Sequence, residues 1–538
     1  MIKKAVLWLF FLNCCLTAVA QDRYMVFFND KNGSAYSLSN PSEFLSERAI
    51  LRRSRQQIAL NITDIPVNEA YVDGLRTLGA IPFYRTKWMN GVLVHMDEIL
   101  AAEVLALDFV TRVEFVAPGV TFEEGSSGGD GGEAYDMDAA QSDNQNQMLG
   151  IDRMHADGYR GEGLMIGVFD GGFDNLSSIP ALSHLFEENR LLYTFDFTEN
   201  ESDVENTVLN HGTRVLSTLA GNEPGNFVGT APEATYLLSA TEDEGEYRVE
   251  EYYWLFAAER ADSAGVDIIN TSLGYYTFSD PSMDYTQAEM DGQTAVITQA
   301  ANAAASKGIL IFTSAGNTGL NLSWPIITAP GDSPNVITVG AVNAILERAR
   351  FSSGGPTADA RTKPDVMALG VATAVVSAGG SVTFSDGTSF SSPQVAGLAA
   401  GLWQAHPEFS AAQMRTLIRR SGDRYDNPDN EVGYGVPNYV TAIRIADELD
   451  LPTVPELTAF PNPVFGTVLV LAFDQDFLGE EVRVEAVNTQ GSRVNSYVVN
   501  PTERDNRINI DLGPVPPGVY LLRISSASGN TVKRIIKR

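Results

Sequence analysis

Apolar and polar residues alternate in three different rhythms along the chain, and each rhythm predicts a different kind of unit. Between residues 24 and 118, strand-like apolar runs at 24–28 and 91–95 are separated by helical stretches at 41–53 and 68–78. Period-two runs mixed with helical periodicity are typical of strands and helices that share one small core. This segment is therefore predicted to be a small α+β domain.

The long middle section has a different hydrophobic pattern, in which short continuous apolar runs lie between helical stretches such as 257–264 and 295–305. Strands that are apolar on both faces are typical of a mostly parallel sheet covered by helices on both sides, so we predict an α/β fold. Ligands of such sheets bind at the carboxyl ends of the strands. The predicted strands are 164–169, 235–238, 266–269, 309–312 and 336–342.

The end of the chain shows short strands, such as 468–471, separated by Gly, Asn and Pro turns, and no helical period. This pattern predicts a small all-β sandwich.

A stretch rich in Gly and Glu joins the first two units. It cannot bury enough apolar surface to order itself, so we interpret it as an exposed linker. We predict a signal peptide at 1–20, an α+β domain at 21–122, the linker at 123–134, the α/β domain at 135–449 and the sandwich at 456–538.

The first twenty residues have the character of a secretory signal peptide. Lys3 and Lys4 precede an apolar run that ends in small residues at 18–20, and the run is too short to span a bilayer. A membrane anchor is the alternative interpretation, and a lipoprotein site at Cys14 fits its preceding residues poorly. Because Cys14 and Cys15 are the only cysteines, the mature protein would have no disulfide and would be stabilised by packing or bound ions.

Composition narrows the classes of partner. The chain of 538 residues is 44% hydrophobic and 20% charged, which suits several globular domains. Its 37 Lys and Arg against 68 Asp and Glu give a net charge of −31. Such a charge argues against nucleic acid or an anionic membrane as the main partner. No segment after the signal peptide is long and apolar enough to span a membrane.

Four polar residues occupy positions suited to chemistry. Asp170 follows the apolar run 164–169, and His211 opens a helix in which Gly212 leaves room for close packing. Asn317 follows the run 309–312 and offers an amide donor. Ser389 precedes a small-residue helix predicted at 394–405, with Pro393 in its first turn, so that Ser389 lies near free N–H groups. Taken singly, each could equally be a cap or a turn residue.

Together these residues resemble the subtilase family over about residues 135–449. The resemblance rests on the order Asp, His, Asn, Ser along the chain and on the segments 211–213 and 387–393. Further agreement with the family comes from the segments 268–274, 339–342, 351–353 and 363–366. The resemblance implies a secreted serine endopeptidase with a catalytic triad of Asp170, His211 and Ser389 that works through an acyl-enzyme intermediate. One departure is Gly171-Gly172 after the acid, where many members have Thr-Gly.

The resemblance also implies roles for neighbouring residues. The Asn317 amide and the Ser389 backbone N–H would bind the oxyanion. The walls of the primary specificity pocket would be Ser272, Leu273, Gly274, Ser314, Ala315 and Gly316. The glycines leave volume, which favours large or apolar residues before the scissile bond. The chemistry requires no cofactor; structural calcium is allowed, but the spacing of acidic residues identifies no ligands, so any metal site stays unknown.

The flanking units carry resemblances of their own. Residues 24–118 are similar to the inhibitor-type propeptide of subtilases, which implies a zymogen cut within 117–135; a permanent accessory domain is the alternative. The segments 460–463, 488–491, 517–523 and the basic end 533–538 resemble the type IX secretion sorting domain of Bacteroidetes. This implies the type IX machinery as a partner and export through the periplasm and outer membrane to the surface or medium. A generic β-sandwich binding module is the alternative.

Two questions stay open at this level. A non-catalytic surface protein could use the same scaffold for peptide binding or adhesion, although such a role does not require the triad; a lipase or esterase is disfavoured by the nucleophile motif. The acidic stretch 242–246 follows a predicted strand and either borders the cleft, where it would favour basic substrates, or forms a plain solvated loop.

Overall fold

A computed structural model of the chain divides it into two compact units, Met1–Ala446 and Asp447–Arg538. The predicted signal peptide and the predicted linker at 123–134 lie outside the described residues. The structure describes residues 21–119, 142–205, 209–243 and 245–448, and in the second unit 457–460, 464, 466–473, 477, 479–488, 493–502, 507–526 and 530–538.

The N-terminal segment forms a four-stranded antiparallel sheet in the order β2-β3-β1-β4 with helices beside it, as an α+β domain. The predicted helix at 41–53 is wrong at its start. Only a 3₁₀ turn forms at Pro41–Glu43, because Ser46 accepts the Ala49 N–H and so sets the first turn of α1 at Glu47. The elements are β1 Arg23–Phe28, α1 Glu47–Arg55, a 3₁₀ turn Ile62–Asp64, α2 Glu69–Leu78, β2 Ile81–Thr86, β3 Gly91–His95, α3 Glu98–Leu105 and β4 Val110–Ala117.

The middle section contains a seven-stranded sheet in the order β13-β12-β11-β10-β5-β9-β6, in which every pair of neighbours is parallel. Its elements are α4 Asp143–Leu149, α5 Ile151–Ala156, β5 Met165–Asp170, α6 Ser183–Glu187, β6 Leu191–Asp196, α7 His211–Ala220, β7 Asn222–Glu223, β8 Phe227–Val228, β9 Thr235–Ala240, α8 Val249–Ala264, β10 Ile268–Thr271, α9 Val296–Ser306, β11 Leu310–Ser314, β12 Ile337–Val342, β13 Val366–Leu369, β14 Thr373–Val376, β15 Val382–Ser385, α10 Thr388–Ala405, α11 Ala411–Arg420 and α12 Tyr439–Glu448. All five predicted strands are present in this sheet, and the predicted α/β architecture is confirmed.

The N-terminal sheet packs on α8, and the two share one hydrophobic core that includes Phe27, Trp88 and the α8 residues Tyr252 and Trp254. The burial pattern explains why this helix shows no amphipathic stripe. One side of α8 faces the parallel sheet and the other faces the N-terminal domain, so nearly every side chain along it is buried.

A buried ion cluster joins the same two parts of the chain. The carboxylate of Asp262 is fully buried near the end of α8. It accepts hydrogen bonds from Arg52 Nη2 at 2.5 Å and from Arg53 Nη2 at 2.7 Å, and Lys87 Nζ lies 3.4 Å away. Since a buried carboxylate is stable only when it is paired, the N-terminal domain supplies the charges that Asp262 needs.

A second carboxylate of α8 fixes the loop that follows β2. Glu259 accepts hydrogen bonds from the backbone N–H groups of Lys87 and Trp88, at 2.8 and 2.9 Å, and from the hydroxyl of Thr86. Burial raises the pKa of Glu259, although Lys87 and these hydrogen bonds favour the charged form. The loop is thus held by its backbone, in addition to its side chains.

The C-terminal unit is all-β, as predicted. One sheet has the order β16-β17-β20 and the other β19-β18-β21-β22, both antiparallel throughout. Inward-facing residues of both sheets, such as Leu471 and Leu522, form one core. The strands are β16 Leu457–Phe460, β17 Val468–Phe473, β18 Val482–Asn488, β19 Arg493–Val499, β20 Arg507–Asp511, β21 Gly518–Ser525 and β22 Asn530–Lys537.

Within the part of the chain that the structure describes, no helix has both the length and the apolar character required to cross a membrane.

Candidate active site

The ends of three neighbouring strands and the first turns of two helices, α7 with His211 and α10 with Ser389, lie at the carboxyl edge of the parallel sheet. Asp170 is the last residue of β5, Ser272 follows β10, and Asn317 lies three residues beyond β11. Helix α10 carries Ser389 as its second residue and packs against β10, β11 and α7. This edge is where parallel sheets bind their ligands, and the topology brings all four sequence-predicted residues to it.

Asp170 and His211 form a directly bonded pair. His211 Nδ1 lies 2.7 Å from Asp170 Oδ1, and the same oxygen accepts the Gly171 N–H at 2.9 Å. The close approach depends on Gly212, because a Cβ there would lie 2.5 Å from the Gly172 carbonyl oxygen and 3.0 Å from the Asp170 Cβ. Gly212 thus allows the first turn of α7 to reach the end of β5.

The environment of His211 favours its protonated form. Burial alone would lower its pKa, but the charge of Asp170 and the hydrogen bond to it outweigh burial, so the pKa is raised above the ordinary 6.5. The carboxylate of Asp170 is fully buried, and its Oδ2 has no hydrogen-bond partner among the described residues. The pair can therefore accept a proton at the histidine and stabilise the resulting charge.

Ser389 is held by an unusual first turn of α10. The helix begins at Thr388, so the prediction that it begins near residue 394, with Pro393 in its first turn, is wrong. Pro393 lies inside the helix and has no N–H to offer the Ser389 carbonyl four residues earlier. That carbonyl instead accepts the hydroxyl of Ser272 at 2.9 Å, which ties the start of α10 to the end of β10.

The His211 ring lies close to this turn. Its centroid is 5.7 Å from the ring centroid of Phe390, the residue that follows Ser389. Ser389 itself is only 8% exposed, so most of its surface is buried by the surrounding residues. Its backbone N–H belongs to the first helical turn, where no carbonyl four residues earlier is available, and can serve as a donor to a ligand.

The side-chain amide of Asn317 has a defined orientation. Its Oδ1 accepts hydrogen bonds from the backbone N–H of Thr388 at 3.0 Å and from the Thr388 hydroxyl at 2.9 Å. The same hydroxyl accepts the Gly316 N–H at 3.2 Å, which holds the loop after β11 in place. With its oxygen occupied, Asn317 presents its NH₂ group as a donor beside the start of α10.

The two predicted pocket walls begin at the ends of the paired strands β10 and β11. Their members are Ser272, Leu273, Gly274, Ser314, Ala315 and Gly316. Thr328 stands between the walls: its Oγ1 would be 2.9 Å from a Cβ on Gly274 and 3.4 Å from a Cβ on Gly316. This buried threonine reduces the volume that the two glycines leave open.

Sequence reasoning missed the two threonines of this site. Thr388 stands beside Ser389 within the motif that pointed to that serine, so its position was visible in the sequence but its bond to Asn317 was not. Thr328 lies in a loop without periodicity, 56 residues beyond Ser272, and no local pattern marks it. For metals, the described residues contain no group of three or more His, Cys, Asp or Glu that could hold an ion.

Three family profiles match successive segments of the chain. The subtilase family profile matches residues 161–435, which is half of the chain. The peptidase S8 propeptide domain of Bacteroidota matches residues 23–128, and the secretion system C-terminal sorting domain matches residues 458–538. The type IX sorting domain indicates export to the cell surface or the medium.

Individual relatives agree with the subtilase profile. Subtilisin from Bacillus pumilus is 33% identical over 268 residues, which cover 49% of this chain and 86% of that protein. Subtilisin E from Bacillus subtilis is 33% identical over 277 residues, which cover 51% of this chain but only 64% of that protein. Among solved structures, the epidermin leader peptide processing serine protease of Staphylococcus aureus shares the fold, with a TM-score of 0.56 at 15% identity over 79% of this chain and 99% of that one.

Proposed function

This chain belongs to the subtilase family of serine peptidases, and we propose that it is an exported endopeptidase whose triad is Asp170, His211 and Ser389. The observation that supports the proposal is the bonded Asp170–His211 pair, which lies at the same sheet edge as the start of α10, the helix that contains Ser389. A binding scaffold would have no need for a buried carboxylate that fixes one tautomer of the histidine.

The reaction follows from the roles that these positions allow. The Ser389 hydroxyl attacks the scissile carbonyl carbon while His211 Nε2 takes its proton, because an alcohol is a weak nucleophile at neutral pH. His211 then gives that proton to the leaving amine, and the acyl group stays on Ser389 as an ester. Water attacks the ester by the same route and restores the enzyme. Asp170 holds the imidazole in one tautomer and stabilises its charged form throughout.

The oxyanion of each tetrahedral intermediate would accept hydrogen bonds from the Asn317 NH₂ group and the Ser389 N–H. Since Thr388 fixes the amide orientation, this donor is preorganised. Asn317→Ala should retain the fold and lose about 3 kcal/mol of transition-state stabilisation, the size of effect known for one such donor in a subtilisin. Unchanged kcat/KM in a folded variant would exclude this role.

The N-terminal domain would act as a propeptide that covers the enzyme until the chain is cut within 117–135, a range that lies largely outside the described residues. The propeptide role is supported by the packing of this domain on α8. It is also supported by Arg23, which contacts both the Pro118 carbonyl and Asp243. The end of the domain is therefore beside the loop that follows β9. N-terminal sequencing of the exported protein would locate the cut.

Labelling with a fluorophosphonate probe tests the catalytic proposal directly. We expect the exported wild-type protein to react with the probe and to hydrolyse casein, and Ser389→Ala to do neither. Ser381→Ala, at an exposed serine before β15, is the matched control and should behave as wild type. A folded wild-type protein that neither reacts with the probe nor cleaves any substrate would favour the binding-scaffold alternative.

A further inference from the structure

A carboxyl group lies beside the Asp170–His211 pair, on the side away from the pocket walls. Glu242 is the second residue after β9 and is half-buried. Its Oε2 would be 3.0 Å from a Cβ on Gly171, and the side chain of Leu209 borders the same space at 2.9 Å. The absence of a side chain at Gly171 thus lets the Glu242 carboxyl group reach the catalytic pair.

Asp243 pairs with Arg23, but the other carboxyl groups of this loop and of the start of α8 have no ion-pair partner within the residues that the structure describes. Among the ion pairs of the residues that the structure describes, none includes Glu242, Glu246 or Glu250. Burial, and then the charge of Asp170, raises the pKa of Glu242 to about 8, while His211 acts in the opposite direction. The charged form of a carboxyl group that is buried beside another carboxylate is strongly stabilised by an added positive charge.

Two further groups indicate what the site would accept. The hydroxyl of Tyr275 is buried without a hydrogen-bond partner among the described residues, and its pKa is raised by burial and by the charges of Glu250 and Glu242. Next to Glu242, Asp243 binds the guanidinium of Arg23, which also donates to the Tyr253 hydroxyl at 2.8 Å. The loop therefore already binds one arginine, which belongs to the N-terminal domain.

The strand order defines which substrate residue would meet Glu242. A substrate bound as an extended strand points successive side chains in opposite directions. If the residue before the scissile bond enters between the walls after β10 and β11, the preceding residue faces His211 and the ends of β5 and β9. Glu242 lies there, so we propose that it forms a subsite for lysine or arginine at the second residue before the scissile bond.

This inference rests on the proposed function and is tested with matched peptides. Fluorogenic peptides would carry lysine, norleucine or glutamate at the second position before the scissile bond and would otherwise be identical. We expect the wild-type kcat/KM for the lysine peptide to exceed that for the norleucine peptide about tenfold or more, with a ratio that falls as salt is added. In Glu242→Gln the ratio should fall towards one, and in Glu242→Lys the glutamate peptide should become the better substrate.

The control is Glu162→Gln, at an exposed glutamate before β5, which should keep the wild-type ratio. Cleavage by both wild type and Glu242→Gln with the same lysine-to-norleucine ratio would overturn the subsite and leave the proposed function standing. Failure of the wild type to cleave all three peptides and to react with a fluorophosphonate probe would overturn the proposed function and the subsite with it.

Discussion

Asp262 is the buried carboxylate on which three basic side chains of the N-terminal domain converge, and Asp262→Asn removes its charge while keeping its shape. The amide still offers an oxygen to Arg52 and Arg53. What is lost is the negative charge beside three cations, one of which, Arg53, retains a second partner in Asp64 at 2.8 Å. For Arg52 and Lys87, Asp262 is the one ion-pair partner within the described residues.

The expected loss of stability follows from this burial. Asp262 and Arg52 are 0% and 3% exposed, so water cannot replace the missing charge. Removing one partner of a buried pair costs about 3–5 kcal/mol, and because the asparagine retains a hydrogen-bond acceptor we expect the lower end, about 3 kcal/mol. The matched control is Asp73→Asn, which breaks the exposed pair with Arg76 and should cost less than about 1 kcal/mol.

The measurement is urea unfolding of the full chain in a Ser389→Ala background, which prevents self-cleavage during the experiment. The transition that includes α8 should move to lower urea in Asp262→Asn, and hydrogen exchange of α1 should accelerate. If Asp262→Asn loses no more free energy of unfolding than Asp73→Asn, the interpretation of this cluster as a stabilising link is wrong.

The same comparison has a defined dependence on pH. Burial opposes the charge of Asp262, but Lys87, Arg52 and Arg53 outweigh it and hold the pKa of Asp262 below its usual range. A lowered pKa contributes stability that is present above the unfolded value of about 3.9 and is lost as pH falls through the folded value. The advantage of the wild type over Asp262→Asn should therefore shrink below about pH 4.

Three further outcomes concern catalysis. Thr388→Val removes the hydroxyl that orients the Asn317 amide, so kcat should fall about tenfold with little change in KM; an equal effect on both would contradict this. Because Asp170 raises the pKa of His211 and the base must be neutral, kcat/KM should decline with falling pH around a midpoint above 6.5, and a midpoint below 6.5 would contradict the assignment. Thr328→Gly should raise the preference for phenylalanine over alanine before the scissile bond about tenfold, measured as a ratio of kcat/KM values.

The sequence predicted those parts of the site whose positions follow from local hydrophobic patterns. Asp170 lies at the end of one buried apolar strand and Asn317 just beyond another, and parallel strands end at a common edge, so their location at that edge was predictable. The start of α10 was not, because the bond that replaces the missing Pro393 N–H comes from Ser272, 117 residues away along the chain. Strands β6 and β13 were also missed. Thr194 interrupts the apolar run of β6, and the apolar run of β13 is only four residues long.

The contact between α1 and the end of α8 could not be predicted from local sequence either, because it also joins residues that are far apart along the chain. The arginines of α1 look like an ordinary solvated face in sequence, and only the fold shows that Arg52 and Arg53 are buried against Asp262. Charged residues at long sequence separation carry no periodic signal that would reveal such a contact.

Under the roles proposed for Ser272 and Ser389, the bond from the Ser272 hydroxyl to the Ser389 carbonyl couples substrate choice to turnover. Ser272 belongs to a proposed specificity wall, yet its side chain also anchors the turn that carries the proposed nucleophile, Ser389. An engineer who enlarges the pocket by changing this serine would loosen the attacking oxygen as well. Variation of specificity in this enzyme is therefore better sought at Thr328, which has no such tie to Ser389.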